Sequence, residues 1–172
     1  MKTKIAILGI VLSLLMSAVW ASESVVGGNV VIDREIVDIR GNYFTVDTNQ
    51  PINIDGRLTH WEVFAKNNNP VKLVIYRQNN GAFALVANSG TKTPSVGFNR
   101  FTLEPKVAVK AGDFVGMFFP QQGSVSFTLD PPSVPDFFDL SGTVLFSVPG
   151  ANATDFAGSS NRRYSIRVVG RE

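Results

Sequence analysis

His60 is the single histidine of the chain, and cysteine is absent. Without cysteine, a zinc or copper site generally needs more than one imidazole, so the sequence does not predict a transition-metal centre. One histidine could activate a serine nucleophile, but no Gly-x-Ser-x-Gly turn is present to display one. We therefore interpret His60 as a structural residue of a strand.

Carboxylates are numerous enough to supply the facing pair that hydrolyses a glycosidic bond. Most of them lie in stretches that are typical of turns. Glu62 and Glu104 lie in strand-like stretches instead, and the pattern does not show whether they pair across a sheet. A small glycan hydrolase or lyase is therefore one alternative, but the sequence assigns no catalytic residue and favours a protein that is not an enzyme.

Two acidic groups could coordinate calcium, which accepts carboxylate, amide and backbone oxygens from irregular loops. The first surrounds one turn and the second lies in a proline-rich segment; their members are Asp47, Asn49 and Asp55, and Asp130, Asp136 and Asp139. Neither group has the spacing of an EF-hand. The sequence therefore predicts no cofactor, with a structural calcium ion as the alternative to solvated turn residues.

Aromatic residues give the clearest indication of ligand chemistry, because an exposed ring can stack on a sugar while neighbouring polar groups bind its hydroxyls. The candidate ligand-binding residues are Trp61, Tyr76 with Arg77, Phe137 with Phe138, and Tyr164 beside Arg162 and Arg163. Trp61 and the phenylalanine pair have a structural alternative, since a strand tryptophan often lies in a core and a phenylalanine pair often closes one end of a sandwich. Tyr76 and Arg77 would point to opposite faces of a regular strand.

Residues 1–21 have the features of an export signal. Lys2 and Lys4 give a positive start, residues 5–16 form an apolar run too short to span a bilayer comfortably, and small residues precede Ser22. The sequence predicts a mature protein of residues 22–172 in the periplasm or outside a bacterial cell. No second apolar stretch of spanning length follows, so no membrane span is expected after cleavage.

Cleavage would leave the chain electrically neutral. Sixteen basic and fourteen acidic residues become fourteen of each when Lys2 and Lys4 are lost. No block of lysine or arginine remains that could neutralise a row of phosphates, so nucleic acid is not an expected partner. The lack of cysteine excludes disulfides, and this fits a bacterial exported protein better than a small eukaryotic extracellular module.

Short apolar runs and period-two alternation recur between Val30 and Val169, whereas helical spacing is absent over any ten residues. Turn sequences separate these runs; among them Asn80-Gly81 predicts a tight hairpin, and Lys110–Asp113 predicts a corner that Asp113 closes by bonding its own backbone. The sequence predicts one all-β domain over residues 22–172. We expect an antiparallel β-sandwich of jelly-roll type with eight to ten strands.

Three motifs lie between Ile54 and Leu129. They are Asp-Gly-x-Leu-Thr-x-Trp from Asp55, Leu-Val-Ile-Tyr-Arg from Leu73, and Val-x-Val-x-Ala-Gly-Asp-x-Val-Gly from Val107. Together they resemble jelly-roll modules of exported and extracellular bacterial proteins. Such modules usually bind glycans or build surface structures, so the resemblance implies a β-sandwich with one of these roles.

Two functional hypotheses stand ahead of the glycan hydrolase or lyase. The leading one is an exported binding module, not an enzyme, whose partner is a glycan or a cell-surface polymer. Its main competitor is a structural subunit that assembles with copies of itself through an exposed edge. For that homo-oligomer, the strand-like segments Val30–Ile39 and Ser165–Val169 are the first candidates.

Overall fold

The computed structural model of the protein describes residues 22–129 and 144–172. The predicted signal segment, residues 1–21, lies outside these ranges. The predictions for five further residues also lie outside them, namely Asp130, Asp136, Phe137, Phe138 and Asp139.

All the regular structure of the described residues is β-strand. The strands are β1 (Ser24–Gly28), β2 (Tyr43–Asp47), β3 (Gly56–Ala65), β4 (Lys72–Asn79), β5 (Ala82–Asn88), β6 (Gly97–Val109), β7 (Phe114–Phe119), β8 (Phe127–Leu129), β9 (Val144–Ser147), β10 (Phe156–Ser160), β11 (Arg162–Tyr164) and β12 (Ile166–Arg171). The described ranges therefore contain no helix that is long and apolar enough to cross a membrane.

Two large antiparallel sheets form a sandwich. One has four strands in the order β1-β12-β3-β6, and the other has six in the order β10-β9-β2-β7-β4-β5; a small third sheet pairs β8 with β11. The chain passes repeatedly from one large sheet to the other, as expected of a jelly roll. The predicted all-β sandwich is confirmed. The described residues form twelve strands, more than the predicted eight to ten. One reason is that Ser165, whose N–H bonds the carbonyl of Ser126, separates β11 from β12.

The main hydrophobic core lies between the two large sheets. Trp61 and Val63 of β3 enter it from one side, and Ile75 of β4 and Met117 of β7 enter it from the other; each is almost fully buried. Because side chains alternate along a strand, residues of even number in this part of β3 point away from the core. His60 is one of these outward-pointing residues.

A second apolar cluster covers the outer face of the six-stranded sheet. Val46, Val74 and Tyr76 are fully buried there, with the partly buried side chains of Phe44, Phe83, Phe114, Phe118, Leu145 and Phe156 packed around them. The ring of Phe156 lies 5.5 Å from that of Tyr76, although β9, β2 and β7 separate their strands. The segment between β9 and β10 therefore folds across this face.

Both predicted turns are confirmed. Asn80 and Gly81 join β4 to β5 with φ values of 50° and 83°, which glycine and asparagine adopt at little steric cost. At the other turn, the Asp113 carboxylate accepts a 2.8 Å hydrogen bond from the backbone N–H of Lys110. This bond closes the corner before β7.

The strand-like segment Val30–Ile39 does not form a strand. It makes a single isolated bridge, between Ile36 and Phe127. The reason is that the chain turns Arg34 inward, where its guanidinium donates to Thr128 Oγ1 at 3.1 Å and to the carbonyl of Val30 at 3.2 Å. These side-chain bonds take the place of a continuous row of backbone hydrogen bonds to a neighbouring strand.

Candidate functional site

A cleft of about 540 Å³ opens at the β9–β10 edge of the sandwich. Residues of segment 38–43 line one part of it, and the β9–β10 hairpin lines the other through residues 146–149 and 157–160; Arg162 of β11 completes the lining. Ligand pockets are commonly about 300–1,000 Å³. The cleft is therefore large enough to hold a small ligand or part of a polymer.

The two sides of the cleft are held together by backbone contacts. The N–H of Gly150 donates a 2.7 Å hydrogen bond to the carbonyl of Asn42, whose own N–H bonds the carbonyl of Phe119 at 2.6 Å. At Gly41, a side chain would come within 2.5 Å of the backbone of Gln121. Glycine is therefore needed there for the loop before β2 to pack so closely.

A β-bulge shapes the hairpin side of the cleft. Phe156 pairs with Ser147, but Gly158 pairs with Phe146, so Ala157 is an extra residue in β10. A bulge bends its strand and redirects the neighbouring side chains. The residues that follow, Ser159 and Ser160, also line the cleft.

An ionic network of Asp38, Arg162 and Tyr164 lies at the cleft wall. The Asp38 carboxylate accepts short hydrogen bonds from Nη1 of Arg162 and from the hydroxyl of Tyr164, and Arg162 Nη1 also lies 3.0 Å from that hydroxyl. Burial raises the pKa of Tyr164 well above its usual value, and Asp38 raises it further while Arg162 opposes this. The hydroxyl therefore remains a donor to Asp38.

The guanidinium of Arg162 is fixed between two aromatic rings. It lies 4.4 Å from the centre of the Phe127 ring and 4.6 Å from the centre of the Phe146 ring. Guanidinium groups are attracted to ring faces, and a planar group held in this way loses little further entropy when it binds a ligand. Arg162 is thus a rigid donor at the cleft.

Two buried polar atoms of cleft-lining residues make no direct hydrogen bond of normal geometry among the described residues: the hydroxyl of Tyr43, which lies near Asp38 and Tyr164, and Nε of Arg162. Tyr43 is 4% exposed. Its pKa is raised far above the usual range, mainly by burial and further by Tyr164 and Asp38, so the hydroxyl keeps its proton. A buried donor without a partner costs about 1–3 kcal/mol, and a ligand that accepted its proton would remove that cost.

The cleft combines groups that suit a neutral, hydroxyl-rich molecule. Asp38 is an acceptor, Arg162 and Tyr43 are donors, and the opposite charges of Asp38 and Arg162 offset each other. Sugar hydroxyls both donate and accept hydrogen bonds, and the partly exposed ring of Phe146 adds apolar surface.

The structure places Trp61 and Tyr76 inside apolar clusters. Both are fully buried; the Trp61 ring packs 4.7 Å from that of Phe101 in the main core. The Tyr76 hydroxyl donates a 2.7 Å hydrogen bond to the carbonyl of Ala153 on the outer face of the other sheet. Neither ring is exposed for stacking; Trp61 fits the structural alternative, and Tyr76 packs within the second apolar cluster.

Arg77 makes a two-point ion pair with Asp113. Its Nε and Nη2 lie 2.7 Å and 2.8 Å from the two carboxylate oxygens. The pKa of Arg77 is raised chiefly by these hydrogen bonds. Arg77 is therefore engaged at the corner before β7 and does not join Tyr76 in one site.

Tyr164 and Arg162, which are close in sequence, do meet at the cleft. Tyr164 is fully buried and reaches the site through Asp38, whereas Arg162 lines the cleft directly. Burial opposes the charge of Arg162, but Tyr164 and Asp38 more than compensate, so that its pKa is raised. Arg163 pairs with Thr128 in the small sheet and is exposed.

The described members of the proposed calcium group bind nearby N–H groups. Asp47 accepts hydrogen bonds from the backbone and side chain of Asn49 and from the side chain of Asn29, while Asp55 accepts one from the backbone of Ala111. Burial nevertheless raises the pKa of Asp47, although these bonds oppose the shift. Within residues 22–129 and 144–172, no three histidine or acidic side chains cluster so as to hold a metal ion.

Sequence reasoning missed Asp38, Tyr43 and Phe146. The Gly41-Asn42 pair marks a turn just before Tyr43, and this was the available signal for a loop at that position. No local pattern connects this loop with β9, which lies about a hundred residues later.

Comparison with known proteins finds one similar structure and no similar sequence. No protein-family model matches the chain, and no curated protein is similar to it in sequence. Among solved structures, it is similar to the cysteine protease and lectin-like domains of Cwp84, a surface layer associated protein of Clostridium difficile, at 12% identity and a TM-score of 0.48. That alignment covers 77% of this chain and 33% of the other, so the chain spans a third of that protein's length. Functional inference must therefore come from the chain's own residues.

Proposed function

We propose that the protein is an exported bacterial binding module, not an enzyme, and that it binds a carbohydrate or the sugar units of a cell-surface polymer in the β9–β10 cleft. The supporting observation is the polar group of Asp38, Tyr43 and Arg162 that lines the cleft, in which Arg162 Nε makes no hydrogen bond among the described residues. Buried polar groups are nearly always satisfied in folded proteins. A ligand with hydroxyl groups would add hydrogen bonds to this polar group.

Charge balance and rigidity favour a sugar over an ion. Arg162 is paired with Asp38, so the wall offers both a donor and an acceptor without a strong field of one sign. The packing of Arg162 between Phe127 and Phe146 fixes the donor before a ligand arrives. A preorganised site binds more tightly because less conformational entropy is lost on binding.

Binding of the purified protein to a broad panel of neutral glycans, followed by calorimetry on the best ligand, tests this proposal. The informative variant is Tyr43→Phe, which removes one hydroxyl and keeps the ring. Loss of one neutral hydrogen bond should weaken binding by about two- to tenfold, because such a bond contributes about 0.5–1.5 kcal/mol. Arg57→Met, an exposed residue of β3 in the other large sheet, is the matched control and should bind as the wild type does.

These binding measurements test both the proposed function and the position of the site. If no neutral glycan binds, the proposed function fails. If a glycan binds equally well to wild type and to Tyr43→Phe, the protein is a lectin-like module whose site lies elsewhere.

Export is part of the proposal and rests on the features of residues 1–21. Amino-terminal sequencing of the protein recovered from periplasmic and extracellular fractions tests it. A mature chain that begins at Ser22 is the expected result, whereas an intact Met1 in the cytoplasm contradicts it.

A structural subunit is the second candidate, and one observation favours it. Four apolar residues of the segment before β2 are exposed: Val30 by 64%, Ile32 by 48%, Ile36 by 37% and Ile39 by 81%. Exposed apolar groups that form one contiguous patch are typical of association surfaces, and these four lie within ten residues of chain. Sedimentation of wild type and of the double variant Ile32→Ser/Ile39→Ser over a range of concentrations tests this candidate, which requires oligomers that the variant fails to form.

A further inference from the structure

Three charged residues form a row across the outer face of the four-stranded sheet. Glu62 of β3 is paired in register with Arg100 of β6 on one side and with Arg167 of β12 on the other. Nε of Arg100 lies 3.1 Å from one carboxylate oxygen of Glu62, and Nε of Arg167 lies 2.5 Å from the other. One buried carboxylate therefore orients two guanidinium groups.

The two arginines face solvent while their partner does not. The side chains of Arg100 and Arg167 are 56% and 32% exposed, whereas that of Glu62 is 4% exposed. Their Nε atoms are used by Glu62, but a guanidinium carries five N–H donors in a fixed fork. The row has one buried negative and two partly exposed positive charges, and the carboxylate of Glu23 lies beside it, 3.6 Å from Nδ1 of His60. Within the row, the preorganised groups that face solvent are the two guanidinium groups.

His60 restrains one of these arginines. The Thr59 hydroxyl donates a 3.2 Å hydrogen bond to the carbonyl of Val169. Its oxygen therefore accepts the proton of His60 Nδ1, which lies 3.0 Å away. This leaves His60 Nε2 as the acceptor for Nη2 of Arg100. Thr59 can take this role because it is the extra residue of a bulge, with Leu58 paired to Gly170 and His60 to Val169. Bulges often re-aim side chains next to functional sites.

Aromatic surface lies beside the charged row. Phe64 and Phe98 are paired in register two residues further along the same strands, so they share the outer face with Glu62 and Arg100. Phe98 is 56% exposed. A guanidinium pair beside an exposed ring can bind an anionic group and the apolar face of a sugar together.

We propose that this outer face is a second binding site, specific for an acidic polysaccharide, in which Arg100 and Arg167 bind a carboxylate or sulfate group and Phe98 contacts the adjoining sugar ring. The site lies on a different sheet from the β9–β10 cleft and does not depend on ligand binding there. Charge complementarity identifies the occupant, since the face offers two positive groups around one buried negative group. A structural role in pairing the buried Glu62 carboxylate accounts for the Nε contacts of both arginines, whereas both arginine side chains stay partly exposed, where a ligand can reach them.

Binding of the full chain to polygalacturonate, dextran sulfate and uncharged dextran tests the proposal at low and high salt. We expect one or both acidic polymers to bind, uncharged dextran not to bind at this face, and affinity to fall as salt rises. Stronger binding of polygalacturonate would identify a carboxylate ligand, and stronger binding of dextran sulfate would identify a sulfate ligand.

Variants of single residues distinguish binding at this face from non-specific charge attraction and from binding in the cleft. Arg100→Met and Phe98→Ala should each lower affinity for the acidic polymer, the former by about tenfold because a hydrogen bond to a charged group contributes about 1.5 kcal/mol or more. Arg57→Met removes an equally charged, exposed side chain of the same sheet and should change affinity by less than about twofold, since interactions between exposed charges are weak. Denaturant unfolding checks that each variant is folded, and Phe98→Ala leaves the ionic row intact if Arg100→Met is unstable.

The proposal is overturned if neither acidic polymer binds, or if Arg57→Met weakens binding as much as Arg100→Met does. It is also overturned if Tyr43→Phe abolishes binding of the acidic polymer while Arg100→Met does not, because the ligand would then lie in the cleft. If neutral glycans fail to bind, only the proposed function of the cleft is contradicted. The site on the outer face is tested separately by Arg100→Met and Phe98→Ala.

Discussion

The hydroxyl of Tyr76 donates a 2.7 Å hydrogen bond to the backbone carbonyl of Ala153. This bond ties the segment between β9 and β10 to β4, which lies four strands away from β10 in the same sheet. Residues 146–149 and 157–160, at the two ends of that segment, line the cleft. The apolar cluster on the outer face of the sheet is therefore also the anchor of one cleft wall.

Replacing Tyr76 with phenylalanine should loosen this anchor without disturbing the packing of the ring. We expect a loss of about 1 kcal/mol in the free energy of unfolding, because one hydrogen bond is lost and the Ala153 carbonyl is left without it. Amide hydrogen exchange in residues 148–156 should accelerate more than exchange in β4 and β7, since local opening requires less free energy than global unfolding. Unchanged exchange in this segment would show that ring packing alone, including that of Phe156 on Tyr76, holds it in place.

Removal of the hydroxyl should have different effects at Tyr43 and at Tyr164. Tyr43→Phe deletes a buried hydroxyl that makes no direct hydrogen bond of normal geometry, although it lies near Asp38 and Tyr164, so stability should change little. Tyr164→Phe deletes a donor to Asp38 and an acceptor for Arg162, and should cost about 1.5–3 kcal/mol because its partners are charged. Urea unfolding of the two variants beside wild type provides the measurement, and equal losses in both would contradict the assigned network.

The local features of the fold were predictable from the sequence because they depend on neighbouring residues. Asn80-Gly81 specifies its turn through the positive φ values that these residues tolerate, and Asp113 closes its corner with an N–H only three residues away. Alternation along β3 likewise assigns Trp61 and Val63 to one face. These interactions need no knowledge of the rest of the chain.

The cleft was not predictable, because its groups are distant in sequence. Asp38 and Arg162 are 124 residues apart, and only the sandwich topology brings them into contact. Exposure of an aromatic residue is equally non-local: Trp61 and Tyr76 are buried because each sheet face is covered by other segments of the chain. The composition of a strand therefore indicated aromatic chemistry without indicating which ring a ligand could reach.

Because Asp113 forms an ion pair with Arg77, we expect the free energy of unfolding to depend on the charge of Asp113. In Asp113→Asn, the side chain can still accept a hydrogen bond from Lys110 but loses the two-point bond with Arg77. Because Asp113 is 1% exposed and Arg77 is partly solvated, we expect a loss of about 1–3 kcal/mol in unfolding free energy. Asp55→Asn, at the neighbouring exposed hydrogen bond to Ala111, is the matched control; a similar loss there would mean that Arg77 adds nothing specific.

The environment of His60 should make stability fall in mild acid. Burial lowers the pKa of His60 from its usual 6.5, and Arg100 lowers it further, while Glu23 and Glu62 partly offset these effects and Arg167 adds a small lowering contribution. The unfolded chain therefore takes up a proton near pH 6.5 that the folded chain resists. The stabilisation is fully present above pH 6.5 and is lost as the pH falls through the lower pKa of the folded state.

Unfolding free energies of wild type and His60→Gln, measured between pH 5 and pH 7.5, test this relationship. The wild-type value should decline below pH 6.5 by at most about 1.4 kcal/mol per pH unit, and the variant should lack that part of the slope. Taking the difference between the two proteins cancels the opposite contribution of Asp47, whose pKa is raised by burial. Parallel pH profiles would mean that His60 titrates alike in the folded and unfolded states, so that the Thr59–His60–Arg100 chain does not hold the imidazole in its neutral form.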